Sequence, residues 1–519
     1  MGSFFAATPN GWVRILVMLL VALAPASSIA ERTAPSIKPN IVFILADDLG
    51  WRDTSPYGST FCETPNIERL AKRGMMFLSA YAANPLCSPT RASILTGQYP
   101  ARIGITAPVC HVPQVVLKKG LQKKASPGAK IIIAESVTRL DTNYFTLAKA
   151  LKQAGYATGH FGKWHLGHPP YSPLQHGFDV DIPHTPAPGP VGSYLAPWKF
   201  APTLARSAKP GEHIEDRMSE EAARFIRAHK DQPFYLNYWA FSVHSPHDAK
   251  DALVQKYIKK SDPRSPQHNP VYGAMVESLD DAVGKLLDTL DELNLASRTV
   301  VIFFSDNGGW TCTSGQPMPP GFEKVPITSN APLRSGKASI YEGGTREPCI
   351  VVWPGKTEPA TVSEALFSSV DFYPTLLEMC GLAPNSDLSL DGVSQVPTLL
   401  GKGPTRDRVF CHFPHGSDAQ SVRIAGFKPS TSVRQGDWKL IRFYCDNPNQ
   451  SDRYELYNLR DDIGETNNLA RANPAKVKAL SALIDEFLQS TDAVVPRKNP
   501  GYILHPRPAP PIRVGRSSN

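Results

Sequence analysis

Short continuous apolar runs, each stopped by a polar cluster, alternate along this chain with stretches whose apolar residues recur every three or four positions. Asn40-Ile41-Val42-Phe43-Ile44-Leu45-Ala46 is such a run, and it predicts a strand buried on both faces of a parallel sheet. It stops at Asp47-Asp48-Leu49-Gly50. Thr64 to Gly74 predicts a helix, with Thr as cap, Pro at the first position and Gly at the stop. Met75 to Tyr81 reads as a strand that leads into Cys87-Ser88-Pro89-Thr90-Arg91, the start of another helix. Further on, the spacing predicts helices over Tyr144–Ala154, Ser219–His229, Tyr272–Leu293 and Val370–Cys380. Apolar runs predict strands over Tyr156–Phe161, Pro233–Phe241, Thr299–Phe304 and Cys349–Trp353. The long helix places Val276, Leu279, Val283, Leu286, Leu287 and Leu290 on one face, so it packs against a core.

This alternation predicts an α/β protein with a large, mixed, mostly parallel sheet sandwiched by helices. Residues 100 to about 140 read as an insertion and 168–212 as irregular, Pro- and His-containing loop. From about 405 the pattern changes to short alternating runs, Trp438–Tyr444 and Tyr454–Tyr457, followed by a helix over 474–489. A smaller C-terminal antiparallel sheet plus helix is expected there. The expected division is a signal peptide over 1–30, a catalytic domain over 31–404, a C-terminal α+β subdomain over 405–495 and a Pro-rich tail over 496–519. There are no internal repeats.

Composition narrows the picture slightly. With 519 residues, 41% apolar and 20% charged, the chain can bury a large core. A net charge of +8 is too weak to argue for nucleic acid, and no nucleic-acid module is present. Arg14 followed by apolar Ile15–Ala24 and small residues up to Ala30 reads as an export signal, too short to span a bilayer, and no later stretch has that length. Export permits disulfides, but the eight cysteines are scattered without a Cys-x-x-Cys pair. If Cys87 is reserved for chemistry, at least one of the other seven is unpaired.

Candidate chemistry gathers where strands end. In open α/β sheets, ligands bind outside the carboxyl ends of the strands. Asp47-Asp48 and Asp306-Asn307 each follow an apolar strand, and so do Lys163 with His165, and His244. Asp47, Asp48, Asp306 and Asn307 offer only oxygen donors, which suits a hard cation such as Ca²⁺ or Mg²⁺. Arg91, Lys163 and Lys337 suit an anion, and His165 and His244 can move protons near neutral pH. Cys87 stands at a helix N-terminus with Arg91 about one turn on. Taken alone, it reads equally as a small buried cysteine.

Together these blocks resemble the type I sulfatases, the formylglycine-dependent, arylsulfatase-like branch of the alkaline-phosphatase superfamily. Cys87-Ser88-Pro89-Thr90-Arg91 with Leu95-Thr96-Gly97 is similar to the family's Cys-x-Pro-x-Arg signature. Asp47-Asp48, Gly162-Lys163-Trp164-His165, His244-Ser245-Pro246-His247, Asp306-Asn307-Gly308 and Gly336-Lys337 match its other blocks in order, over roughly residues 38 to 470. The resemblance implies an alkaline-phosphatase-like fold and one Ca²⁺ held by Asp47, Asp48, Asp306, Asn307 and a modified Cys87. It implies that a separate maturation enzyme oxidises Cys87 to formylglycine, whose hydrate attacks a sulfate ester. Arg91 and Lys163 then stabilise charge, His244 or Lys337 protonates the leaving alcohol, and His165 takes the last proton.

The expected substrate is a sulfate ester, with a sulfated saccharide ranked above an aryl sulfate. Lys118, Lys119, Lys123, Lys124 and Lys130 in the insertion, and His176, His184, His213 and His247, are candidates for sugar recognition. The rival readings are a phosphomono- or phosphodiesterase of the same superfamily and a catalytically silent sulfated-glycan-binding protein. The expected location is periplasmic or secreted, or lysosomal in a eukaryote, where Asn449-Gln450-Ser451 would be a glycosylation sequon.

Overall fold

Seven residues, Asn40–Ala46, form the central strand, and their alternation divides the core in two. Val42, Ile44 and Ala46 face one apolar cluster, and Ile41, Phe43 and Leu45 face the other. Burial on both faces is what an unbroken apolar run requires. This computed structural model describes residues 38–503, apart from 126–127, 314, 316–317, 321 and 323. The export signal expected over 1–30 and most of the Pro-rich tail lie outside the described residues.

Among the described residues the main sheet has nine strands. Across it run Thr361–Ser363, Met75–Tyr81, Arg346–Val352, Thr299–Ser305, Asn40–Ala46, Phe234–Trp239, Ala157–Gly162 and Val180–Ile182, with Phe367–Ser368 also paired to Met75–Tyr81. Arg346–Val352 is antiparallel to both of its neighbours, and the other pairings are parallel. The helices Ile214–Ala228 and Pro270–Glu292 cover the face of Val42 and Ile44. Cys87–Thr96, Leu147–Gln153 and Phe372–Met379 cover the other face. Because the parallel strands share a direction, their carboxyl ends bring residues 47, 163 and 306 to one edge.

Several boundaries differ from the sequence expectation for local reasons. The helix expected from Tyr144 begins at Leu147, because the Thr146 hydroxyl accepts from the Lys149 N–H at 3.3 Å and caps it there. The helix expected from Ser219 begins at Ile214, where the His213 ring acts as cap. The loop expected over 168–212 contains the edge strand Val180–Ile182. The amphipathic helix Asp251–Lys260 has only Val254 and Tyr257 buried, which leaves a faint apolar stripe in the sequence.

The C-terminal sheet is an antiparallel meander of Arg408–Phe413, Ser430–Gln435, Trp438–Phe443 and Arg453–Asn458. One face packs Val433, Leu440 and Leu456 against Leu480, Ile484 and Phe487 of the helix Pro474–Ser490. Its other face packs Phe413, Ile441 and Phe443 against Ile340, Tyr341 and Leu86. Leu86 caps the Cys87 helix, and Ile340 follows the Lys337 loop, so this sheet buttresses two segments that carry chemistry. None of the eight cysteines is paired. No helix among the described residues is long and apolar enough to cross a membrane.

Candidate active site

The strand ends converge as a layered charge network. Asp47 follows the central strand, and its N–H donates to the Ser242 carbonyl at 2.9 Å. Asp48 adopts φ 63°, a left-handed conformation that aspartate tolerates better than most residues. The chain therefore turns sharply between two adjacent carboxylates, and each meets its own lysine. Lys163 Nζ lies 2.5 Å from Asp47 Oδ2, and Lys337 Nζ lies 2.6 Å from Asp48 Oδ1. Gly162, just before Lys163, has φ 109°, and a Cβ there would meet the Trp239 carbonyl at 2.0 Å. Only glycine lets that strand end so close to its neighbour.

Arg91 ties this layer to the Cys87 helix. Its Nε and a terminal nitrogen reach Asp306 Oδ2 at 2.8 and 2.7 Å, and another terminal nitrogen donates to the Lys163 carbonyl at 2.7 Å. Asp47, Arg91, Lys163, Asp306 and Asn307 are all fully buried. Behind them, Asp53 accepts from the Gly50 N–H, the Tyr272 hydroxyl, Thr328 and Gln267, which anchors the loop after Asp48.

At the centre of this network the Cys87 thiol is 1% exposed and donates to Asp47 Oδ1 at 3.6 Å. Burial pushes it up to about 12, against the pull of Lys163 and Lys337. A plain cysteine here is a protonated thiol at neutral pH and a weak nucleophile. Burial also pushes the Asp48 carboxyl up, but Lys337, His244 and Lys163 together outweigh it and hold Asp48 well below the ordinary carboxylate range. Asp306 is driven upward by burial and by the Asp47 charge beside it.

The carboxylate and amide oxygens gathered here are donors of the kind a hard cation takes. Ligand atoms of Asp47, Asp48, Cys87 and His244 lie within 4.8 Å of one another. Asn307 donates from Nδ2 to Asp48 Oδ1 at 2.8 Å, while its Oδ1 is buried with no hydrogen-bond partner. An orphaned buried acceptor among carboxylates is costly unless a cation takes it.

The two histidines sit differently. His244 is half-buried, with Nε2 3.8 Å from Asp48 Oδ2. Burial, Lys337 and Lys163 lower it well below an ordinary imidazole. His165 is 2% exposed, and burial, Lys163 and His111 lower it in the same way. A cavity of about 390 Å³ opens over Asp48 and Lys337 and is walled by His247, Trp310 and Arg423. A larger surface cleft, lined in part by Trp51, Lys356 and Arg406, shares no residue with this charge network.

The structure thus brings together Asp47, Asp48, Cys87, Arg91, Lys163, His244, Asp306, Asn307 and Lys337, and it places His165 beside them. Of the residues expected at the sugar, His247 lines the cavity. His176 and His213 are fully buried instead, His213 as a helix cap, and cannot face a ligand. His184 pairs with Asp181 at 2.6 Å. Lys119 and Lys130 are tied to the C-terminal region through the carbonyls of Thr491 and Asp446. Trp310, Arg423, Asp53 and His111 were not legible, since no motif or spacing marks them.

A sequence model of the sulfatase family matches residues 39–382. The chain belongs to the sulfatase family. This sulfatase is a sulfuric ester hydrolase, and a second model, N-sulphoglucosamine sulphohydrolase C-terminal, matches its residues 336–492. It is 32% identical to N-acetylgalactosamine-6-sulfatase of Rattus norvegicus over 92% of this chain and 90% of that protein. It is 29% identical to N-acetylgalactosamine-6-O-sulfatase of Bacteroides thetaiotaomicron over 87% of this chain and 93% of that protein. The crystal structure of Ps i-CgsB in complex with k-i-k-neocarrahexaose superposes with a TM-score of 0.68 at 26% identity, covering 88% of the sulfatase and 93% of that chain.

Proposed function

We propose that this protein is an exported, formylglycine-dependent sulfatase that removes sulfate esters from carbohydrates. One observation carries the reading: the Cys87 thiol, unreactive as encoded, sits inside Cys-x-Pro-x-Arg at the focus of Arg91, Lys163 and Lys337. A maturation enzyme that reads this pattern would oxidise it to formylglycine, whose hydrate offers an oxygen nucleophile toward sulfur. Asp47, Asp48, Asp306, Asn307 and the modified residue 87 would hold one Ca²⁺, which when bound supplies Lewis-acid polarisation of the sulfate.

The chain's own residues do the rest. Lys163 and Lys337 face the site with charge that suits the sulfuryl oxygens, and this charge is already in place before reaction. Arg91, locked on Asp306, holds the helix that carries residue 87 and adds to that field. His244 stands at the open side and is the first candidate to give the departing alcohol its proton, which it must first take up because burial, Lys337 and Lys163 hold it below the ordinary imidazole value, with Lys337 as the second candidate. His165, kept neutral by burial and neighbouring cations, takes the proton released as the aldehyde reforms and sulfate leaves.

A carbohydrate substrate is supported by the names of the relatives and by the cavity wall. Trp310 offers an apolar face of the kind that stacks on a sugar ring, and Arg423 and His247 offer polar contacts. Sulfate release from defined sulfated oligosaccharides, N-acetylgalactosamine 6-sulfate units among them, tests the reading against aryl sulfates and aryl phosphates. The expected order is saccharide sulfate, then aryl sulfate, then aryl phosphate. Preferential phosphate release would overturn it.

A further inference from the structure

One contact beside the site is not used by that scheme. His165 Nε2 lies 2.9 Å from Nδ1 of His111, a residue of the insertion over 100–140. The two rings are unlike in setting, since His165 is buried and His111 is exposed. Their centroids are 5.1 Å apart and the planes are tilted by 38°, so the contact is made through nitrogen atoms and not by stacking. His165 Nδ1 is buried without a partner.

The His165 backbone is held in place. Its φ is 54°, a left-handed conformation that strains a non-glycine residue. The Ser88 hydroxyl, next to residue 87, donates to the His165 carbonyl at 2.7 Å, and the Leu140 N–H donates to the Leu166 carbonyl at 2.9 Å. These contacts fix the backbone, and the ring itself is held by the hydrogen bond between its Nε2 and His111 Nδ1. In a neutral imidazole one nitrogen carries the proton and the other the lone pair, and the partner of one nitrogen decides which.

We propose that His111 is a positioning residue that fixes His165 as the Nε2-protonated tautomer, leaving the lone pair on Nδ1 as the base. This rests on the sulfatase reading above. His165 Nε2–H donates to His111 Nδ1. When the last hydroxyl of the residue-87 hydrate gives its proton to His165 Nδ1, the O–H electron pair closes the carbonyl. The C–O bond to sulfate breaks, and sulfate leaves with that bond's pair. The imidazolium formed keeps its Nε2–H bond to His111, a charge-assisted hydrogen bond, and Nδ1 later returns its proton to water as the product departs. The logic is that of a base oriented by a third group, with a neutral ring in the place where a carboxylate often stands.

The groups facing the pair favour this assignment. Lys163, Arg91 and His244 face His165, and Lys163 and Arg139 face His111. Partial burial against His165 and the cations beside it hold His111 below the ordinary imidazole value, which favours a neutral ring able to accept a hydrogen bond.

The test compares His111→Phe with His111→Gln, whose amide oxygen accepts the same hydrogen bond, in the full chain and per mole of modified residue 87. In His111→Phe, kcat is expected to fall about ten- to a hundredfold with KM unchanged. The first turnover should still release alcohol quickly, giving a burst that wild type lacks, and His111→Gln should recover most of the rate. Independently of turnover, ¹⁵N NMR of the full chain should show His165 protonated at Nε2 in wild type and His111→Gln, and a mixed or Nδ1-protonated ring in His111→Phe. Wild-type turnover in His111→Phe, or an Nδ1-protonated His165 in wild type, would overturn the proposal. Failure of wild type to release sulfate would instead remove the reaction while the NMR arm still reports on the pair.

Discussion

The floor and the mouth of the site are built on different terms. On the floor, Asp47, Arg91, Lys163 and Asp306 are fully buried, sit just past strand ends or one turn into the Cys87 helix, and are held by charged contacts of 2.5 to 2.8 Å. At the mouth, His247, Trp310 and Arg423 come from loops far apart in sequence, and Arg423 lies in the C-terminal region beside the antiparallel sheet. The floor's geometry is set by the backbone of a parallel sheet and leaves little room for variation. The mouth depends on loops whose chemistry can change without disturbing the sheet. Under the proposed function, reaction type belongs to the floor and substrate choice to the mouth.

The sharpest way to break this division is Cys87→Ala. Turnover should fall by about 10⁴-fold or more. The thermal midpoint should stay near wild type, because a small buried side chain is exchanged for a smaller one. Sulfate release and a melting curve check both halves. An active variant would mean that the nucleophile lies elsewhere.

Next in size is Arg91→Leu. It strips the buried cation from Asp306 and Asp47 and should cost about 3–5 kcal/mol, read from denaturant unfolding. Added Ca²⁺ should recover part of that loss, since it offers the stranded carboxylates another cation. Loss of less than about 1 kcal/mol would show that the floor is not the rigid part.

A smaller effect concerns pH. In the proposed reaction His165 is the base and must be unprotonated to act, and burial with Lys163 and His111 lowers it well below 6.5. Activity attributable to that group is thus retained through neutral pH and is lost only as pH falls through the lowered value. The acid limb of the kcat profile should lie below 6.5, and a limb above it would contradict the assignment. The smallest effect belongs to the mouth. Arg423→Ala should raise KM for a sulfated oligosaccharide about threefold, while a small aryl sulfate is cleaved as before. Equal losses on both substrates would erase the distinction between floor and mouth.

How much of this was legible in the sequence follows the same division. A continuous apolar run that stops at a charged pair, as at Ala46-Asp47-Asp48, announces a buried strand and a residue at its carboxyl end. The same grammar located Lys163 and Asp306. Cys87 was legible because Pro89 and Arg91 give it a recognisable frame. His111 was not, because it meets His165 across 54 positions with no periodicity to connect them. His176 and His213 looked like loop histidines available to a sugar. The fold buries both, and the ring of His213 serves as a helix cap, a task usually given to Ser, Thr, Asp or Asn. The strand Val180–Ile182 was hidden because three residues carry too little alternation to read.

The central claim is that the residue which acts at position 87 is not the one encoded there. The direct measurement is the mass of the peptide carrying residue 87, taken from enzyme whose sulfate release has been measured in the same preparation. The account predicts a peptide lighter than its cysteine form, in an amount that tracks activity from one preparation to the next. Fully active enzyme in which that peptide keeps the mass of cysteine would contradict it.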